Sequence, residues 1–252
     1  MRNILDYLNI PKSGKTKQRI ALKDIMEQLS PSAKDKRILS SEIDSIYLMG
    51  VLDLDTIRIQ PYIDEDYRYE SIYVLRVMVK SNAHFATINE KLHMVFPNPI
   101  LIVFQLDENI VLSTALKRIN KTIKEKSVIE SLYTTNLFTI DVKHDFLLEH
   151  LNLQKINSLN LKEFYEILTD YIYSERLIEL IGEYPKQIPN TSDLKQTIKL
   201  IESKKAHLNA YNESYKQSSM MAEKMELHMK IKQTQQNIED IISNLKEELF
   251  YE

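Results

Sequence analysis

The chain has 252 residues, of which 43% are hydrophobic and 27% charged, and its formal net charge at pH 7 is −3. This length suffices for one large domain or for one domain with an extension. The absence of cysteine excludes disulfide scaffolds, thiol nucleophiles and cysteine-based metal sites. No apolar run is long enough for a signal peptide or a membrane-spanning helix, so we expect a cytoplasmic protein with no membrane contact.

Charge is unevenly divided in the first part of the chain. Residues 1–40 hold nine Lys and Arg against four Asp and Glu, whereas residues 41–70 hold two against eight. The triplet from Gly14 to Thr16 ends like a phosphate-binding loop. Because Asn9 stands where that loop needs its first glycine, and no buried strand precedes it, we do not expect nucleotide binding there.

The basic N-terminal segment is a candidate for nucleic-acid contact. Clustered cations are sufficient to bind phosphates, but no interleaved aromatic residues indicate stacking on bases. Any DNA contact is therefore expected to be indirect or confined to phosphates. The candidate residues are Lys12, Lys15, Lys17, Arg19 and Lys23.

The next elements are predicted from periodicity and capping residues. Apolar residues at spacings of three and four predict a helix with Ser32 as its N-cap and Gly50 as its C-terminal cap. β-Branched residues indicate the strands that follow. The predicted elements are a helix over 32–49, a short strand over 56–60, an acidic loop over 61–69 and a strand over 70–80.

The centre of the chain carries its clearest strand signal. Two apolar runs, over 100–104 and 110–116, flank a polar turn and predict an antiparallel hairpin in the core of a sheet. A helix over 84–95 precedes this hairpin, and strands over 128–134 and 136–141 are expected after it.

A further helix and a linker close the predicted globular part. Asn160 is a suitable N-cap, with Glu163 at the capping-box spacing, and the two prolines within 184–191 indicate a domain boundary. We therefore predict an α+β domain over 1–183, with a small, mostly antiparallel sheet flanked by helices. The buried face of the helix is expected to comprise Leu161, Phe164, Leu168, Tyr171 and Ile172, with Ile178 as a further candidate.

The last part of the chain, residues 192–252, is predicted to be a helical arm. It contains neither Gly nor Pro, and apolar residues recur at helical spacing near both of its ends. Polar residues at the seam over about 202–220 disfavour a regular coiled coil, so we expect a coiled-coil-like long helix or helical hairpin. The arm packs on its own domain, pairs with a second copy, or docks on another protein. Its predicted interface comprises Leu194, Ile198, Ile201, Met221, Met225, Ile238, Ile241, Leu245 and Leu249.

One short pattern points to catalysis. Asp141 and Lys143 stand two residues apart at the end of a predicted strand, and would therefore share a face, as in Mg²⁺-dependent nucleases of the PD-(D/E)xK kind. In such sites the carboxylate holds the metal and the lysine polarises the attacking water; Asp107 and Glu42 could complete the set. Solvated side chains are the competing interpretation. No two of the six histidines have the i, i+4 spacing of a helical zinc site, and we predict no cofactor.

The order of several short motifs resembles a bacterial family, the domain of unknown function 4391 family. Genes of that family often stand beside helicase and DNA-methyltransferase genes in restriction-like defence islands, so the resemblance implies a partner of that kind from the same operon. It implies no catalytic residues, and this chain has Asn136-Leu137 where an acidic residue and a tryptophan are expected. The segments that carry the resemblance are 10–12, 29–31, 42–47, 72–77, 97–104, 110–117, 130–134 and 224–230.

These observations lead to one functional expectation and two alternatives. We expect a non-catalytic accessory subunit of a bacterial anti-phage assembly, which docks through residues 192–252 on a helicase or a DNA methyltransferase. The first alternative is a divergent Mg²⁺-dependent nuclease that uses Asp107, Asp141 and Lys143. The second is a toxin–antitoxin or phage-derived binding protein, which the sequence does not separate from the accessory subunit.

Overall fold

The computed structural model describes residues 3–29, 31–123 and 127–250. The chain divides into two compact units, residues 1–176 and 177–252. The first unit combines helices with strands, and the second consists of helices. The division lies before the linker expected over 184–191, because the short helix that begins at Leu177 packs on the last helix of the chain.

The first unit contains the strands and seven of the α-helices described here. The strands are β1 (Lys15–Ile20), β2 (Ile43–Leu52), β3 (Tyr62–Ile63), β4 (Arg68–Tyr69), β5 (Ile72–Val79), β6 (Ile100–Leu106), β7 (Asn109–Ile119) and β8 (Ser127–Thr134). The helices are α1 (Ile4–Leu8), α2 (Leu22–Leu29), α3 (Ala33–Glu42), α4 (Leu54–Ile57), α5 (Phe85–Val95), α6 (Asp145–His150) and α7 (Leu161–Ser174), with a 3₁₀ helix at Val142–His144.

Six of these strands form one sheet in the order β1-β2-β5-β6-β7-β8. All neighbours are antiparallel except β5 and β6, which are parallel, so α5 serves as the crossover that a parallel pair requires. Strands β3 and β4 form a separate two-stranded hairpin. The predicted α+β class, with a mostly antiparallel sheet flanked by helices, is confirmed.

One face of the sheet packs on α2, α3 and α5. The cluster includes Leu75, Ile102 and Phe104 from the sheet, each at most 1% exposed. Residues of α5 at spacings of three and four face it, and the ring of Phe85 meets that of Phe104 edge-on at 4.8 Å. Each fully buried side chain of this kind stabilises the fold by about 1.5–3 kcal/mol.

The opposite face of the sheet is also largely buried. Residues that alternate with the first cluster, such as Val74 and Val103, are 0% exposed. Helix α7, none of whose residues belongs to that cluster, packs on β7 and β8. Of the buried face predicted for it, Tyr171 is only half-buried and Ile178 lies beyond the end of the helix. Asn160 caps the helix as predicted.

The helix predicted over 32–49 is half wrong. Ser32 does cap a helix, by accepting a hydrogen bond from the Asp35 amide, but the helix ends at Glu42 and the chain continues as β2. Pairing with β1 on one side and β5 on the other overrides the apparent helical spacing. Gly50 lies within β2 and caps no helix; a Cβ atom there would lie 2.8 Å from the Ile10 side chain.

Two predicted strands are also wrong. Residues 54–57 form α4, because Asp53 and Thr56 make a reciprocal capping box. Residues 136–141 contribute only an isolated bridge between Ile110 and Phe138. The strands predicted over 70–80 and 128–134, the hairpin over 100–116 and the helix over 84–95 are confirmed within a few residues.

The second unit is built on a helical hairpin, as predicted. It contains α8 (Leu177–Ile181), α9 (Thr191–Gln217) and α10 (Met221–Phe250), and three residues connect the two long helices. Gly182 adopts φ +92 and ends α8 by donating its amide to Ile178, a conformation that favours glycine. Within the described ranges, no helix has both the length and the apolar character needed to cross a bilayer.

Candidate functional site

The half of the hairpin nearest its turn has a thin core. Buried residues of α9 end at Ile201 and those of α10 begin at Ile231. Between them, Leu208, Tyr211 and Leu227 are only half-buried. This half of the hairpin therefore buries little apolar surface of its own.

The same region exposes a row of methionines. Met221, Met225 and Met229 are spaced by four residues, so they form one stripe on α10, and they are 75%, 64% and 66% exposed. Met220, which precedes the helix, is 66% exposed. These four residues are called the methionine face below. Exposed apolar patches indicate interaction sites, and methionine adapts to irregular partner surfaces.

The turn beside the methionine face is held by side chains from both helices. Lys224 Nζ lies 5.7 Å from the centre of the Tyr215 ring, and the His228 ring lies 6.4 Å from it. The Ser218 hydroxyl donates to Glu223 Oε2 at 2.6 Å. The methionines are thus presented on a fixed pair of helix ends.

The predicted interface residues fall into two groups. Met221 and Met225 are exposed and accessible to another protein. Ile241 is half-buried. The remaining six are at most 8% exposed and hold the fold together in this structure: Leu194, Ile198, Ile201, Ile238, Leu245 and Leu249.

The predicted nucleic-acid contacts gather around β1, an element that the sequence did not predict. Lys15, Lys17 and Arg19 lie in β1, which is an edge strand of the sheet. Lys12 lies in the turn before it, and Lys23 in α2 pairs with Glu27 at 3.6 Å. The other four cations are not fully buried and make no ion pair with any residue that the structure describes.

The residues of the nuclease hypothesis are not arranged as predicted. Asp141 caps the 3₁₀ helix, where its Oδ1 accepts hydrogen bonds from the Lys143 amide and the His144 ring, so no strand places Asp141 and Lys143 on a common face. Asp107 lies in the β6–β7 turn with φ 53, and Glu42 accepts a hydrogen bond from Ser81. Among the described residues, no three or more His, Asp or Glu side chains form a group that could hold a metal ion.

A histidine between two carboxylates lies near the end of β8. His144 Nδ1 is 2.7 Å from Asp141 and Nε2 is 3.6 Å from Glu175, while the ring of Phe138 stacks on it at 4.4 Å. Burial opposes the charge, but hydrogen bonds to both carboxylates outweigh it and raise the pKa of His144 above its usual value. Since both ring nitrogens face carboxylates, this cluster joins segments of the chain and offers no general base.

A second polar cluster connects α5 with β7. His93 Nε2 lies 2.9 Å from the Ser113 hydroxyl, which donates to Asn89 Oδ1 at 2.7 Å. Lys117 donates to the carbonyls of Phe96 and Asn98, and burial lowers its pKa to about 7. His93 is 0% and Lys117 4% exposed, so these residues organise the core and do not meet a substrate from solvent. The only signal of this cluster in the sequence is a charged residue late in a buried strand.

The chain matches a known protein family over most of its length. A family model described as Domain of unknown function (DUF4391) matches residues 8–238. The matched range includes α9 and the part of α10 up to residue 238. No curated protein and no solved structure matches the chain.

Proposed function

We propose that this chain, which belongs to the DUF4391 family, is an interaction subunit that binds a helicase or a DNA methyltransferase through its methionine face. The observation that carries the proposal is the exposure of all four methionines, 64–75%, at the turn of a helical hairpin. The choice of partner rests on the gene neighbourhood that the family resemblance implies. The partner would act in the same DNA-targeting defence assembly.

The size and surroundings of the methionine face fit an anchor within a larger interface. Full burial of a methionine contributes about 1.5–3 kcal/mol, whereas association costs roughly 4–15 kcal/mol in lost freedom of motion. Four methionines supply about 6–12 kcal/mol at most, which that cost would largely offset, so a tight complex needs further contacts. Charged residues flank them on the same helix, including the pair Glu226 and Lys230 at 2.5 Å, as at the polar rim of a protein interface.

The other polar features of the chain support binding over catalysis. His144 faces a carboxylate with each ring nitrogen, and Lys117 donates to two main-chain carbonyls in the core. Neither side chain is available to act on a substrate. The methionine face, in contrast, is an apolar surface with its side chains in solvent.

The test is co-expression of the full-length chain with the neighbouring helicase and, separately, with the neighbouring methyltransferase, followed by affinity measurement on the purified proteins. The variant Met221→Glu/Met225→Glu is expected to weaken binding by roughly 10- to 100-fold, since it puts two charges into the apolar contact. Gln233→Glu/Gln235→Glu is the matched control, because it adds the same charges at exposed positions of α10.

Three outcomes decide the proposal. Binding of either enzyme that is lost in the methionine variant and kept in the control supports it. Equal binding by both variants places the contact elsewhere and overturns the role of the methionine face. Failure of the wild-type chain to bind either enzyme overturns the choice of partner. Circular dichroism melting verifies that both variants are folded.

A further inference from the structure

Three side chains with unused binding capacity lie in one row across the sheet. Arg19 of β1 is paired with Tyr47 of β2, and Tyr47 is paired in turn with Arg76 of β5. Residues directly opposite each other in antiparallel strands project from the same face, with Cβ atoms about 4.5–5.5 Å apart. Arg19, Tyr47 and Arg76 therefore form one continuous row, called the Arg–Tyr–Arg row below.

This row lies on the face of the sheet opposite the α5 cluster. The α5 cluster contains Ile46 of β2 and both Leu75 and Val77 of β5. These residues alternate along their strands with Tyr47 and Arg76, which therefore project from the other face. Tyr47 and Arg76 are half-buried, and Arg19 is exposed. The row can therefore be reached from solvent, although its two inner members are partly enclosed.

The guanidinium of Arg76 is fixed in place without a carboxylate. Its Nε and Nη2 donate to Gln105 Oε1 at 3.1 and 2.5 Å, and the Gln105 amide is itself held by donating to the Asp107 carbonyl at 2.9 Å. The Nη1 hydrogens have no acceptor among the residues that the structure describes. A partly desolvated arginine held in this way is suited to bind an anion.

The other two members of the row are also without polar partners in the described ranges. Arg19 has no ion pair there, and the Tyr47 hydroxyl has no hydrogen bond. Further cations of β1, Lys15 and Lys17, lie on the same edge strand and are exposed. This side of the sheet thus offers two arginines, an aromatic ring between them and additional positive charge along one edge.

A cavity of about 400 Å³ adjoins the Arg76 end of the row. Arg76 and Gln105 lie in its lining, together with the polar residues Asn3 and Thr139 and the apolar residue Ile110. This volume is within the usual range for small-ligand sites, roughly 300–1,000 Å³. Glu108 is also a lining residue, and its negative charge disfavours a doubly charged phosphate monoester more than a singly charged phosphodiester.

We propose that the Arg–Tyr–Arg row and this cavity bind single-stranded nucleic acid. One base stacks on Tyr47, and phosphodiesters on either side of it contact Arg19 and Arg76, with Lys15 and Lys17 adding long-range attraction. Aromatic rings on a sheet face and flanking cations are the features by which proteins bind unpaired strands. The site lies in the first unit and does not depend on the proposed function of the hairpin.

The proposal is tested by fluorescence anisotropy on the full-length chain with a labelled oligothymidylate of about 15 nucleotides, near the upper end of single-fold site sizes. The probes for comparison are a duplex of the same length and free thymidine monophosphate as a competitor. We expect tighter binding of the strand than of the duplex, and little competition by the monophosphate.

Four variants separate stacking from charge. Tyr47→Leu keeps an apolar side chain in β2 and is expected to weaken strand binding by about 5- to 150-fold, whereas Tyr47→Phe retains binding. Arg19→Gln and Arg76→Gln are each expected to lower the slope of log K against log salt concentration by about 0.7. Arg37→Gln, an exposed arginine of α3, is the matched control for charge.

The following results would overturn the proposal. The first is no binding of the strand by the wild-type chain. The second is equal binding of duplex and strand with no effect of Tyr47→Leu, which would indicate phosphate contact alone. The third is that Arg76→Gln and Arg37→Gln have the same effect on the salt dependence of strand binding. Efficient competition by the monophosphate would assign the site to a free nucleotide.

Discussion

The sheet unit and the hairpin use their side chains in opposite ways. In the sheet unit, apolar residues are buried on both faces and even charged groups such as Lys117 have partners inside the core. In the hairpin, the seam is well buried only away from the turn, and methionines near the turn are in solvent. The sheet unit thus buries most of its apolar side chains, whereas the half of the hairpin nearest its turn leaves apolar side chains in solvent.

The largest expected effect is loss of a core aromatic ring from the sheet. Phe104→Ala should lower the free energy of unfolding by about 3–5 kcal/mol, since Phe104 is 1% exposed and packed on Phe85. Leu208→Ala, a half-buried site of α9, should cost about 1 kcal/mol or less. Denaturant unfolding measures both; equal losses would contradict the contrast between the two regions.

Lys117, which is buried in the core, should make the free energy of unfolding depend on pH. Its folded pKa of about 7 lies below the ordinary 10.5, so the unfolded chain binds more protons between these values and stability rises with pH across that window. The rise is expected to be on the order of a few kcal/mol. Urea unfolding between pH 7 and pH 10 should show this rise in stability for the wild type and not for Lys117→Met. If the free energies of unfolding of the two proteins changed with pH in parallel, the prediction would be refuted.

The histidine between two carboxylates should act in the opposite direction. The pKa of His144 is raised in the folded chain above 6.5, so its stabilisation is fully present below pH 6.5 and is lost as pH rises through the folded value. The contribution is about 1.4 kcal/mol for each unit between folded and unfolded pKa values. Thermal melts of the wild type and His144→Asn from pH 5.5 to pH 8 should converge at the upper end. A difference in Tm between the two proteins that does not change with pH would instead indicate that His144 stabilises the fold by packing.

The smallest expected effect is in the methionine face. Met221→Glu/Met225→Glu should change the free energy of unfolding by no more than about 0.5 kcal/mol, because both side chains are mostly in solvent. Leu245→Ala, in the buried seam of the same helix, should cost about 2–5 kcal/mol. A methionine variant as unstable as the leucine variant would show that these methionines support the hairpin itself.

Local signals in the sequence predicted the elements that depend on neighbouring residues. The caps at Ser32 and Asn160 and the apolar runs of β6 and β7 are of this kind. The helical spacing of Ile43, Ile46 and Tyr47 predicts a helix where the chain forms strand β2, because only pairing with the strands on either side of β2 favours the extended conformation.

The two candidate sites also differ in whether they depend on neighbouring residues or on residues far apart in the chain. The methionine stripe depends only on the repeat of one helix, and the sequence alone predicts Met221 and Met225 as interface residues. The Arg–Tyr–Arg row depends on the register of three strands whose residues are far apart in the chain. Strand β1 itself was missed, because its polar sequence lacks the alternation of a half-buried strand.

The order of strands in the main sheet is the same as their order along the chain. Each strand therefore pairs with one that has already left the ribosome, and no strand has to be inserted between two earlier neighbours. Short-range pairing of this kind favours rapid folding, and it allows the sheet to grow by one strand at a time during synthesis. The outer edge of β7 stays open until β8 (Ser127–Thr134) emerges, so all strands of the sheet have been synthesised before the helices of the hairpin.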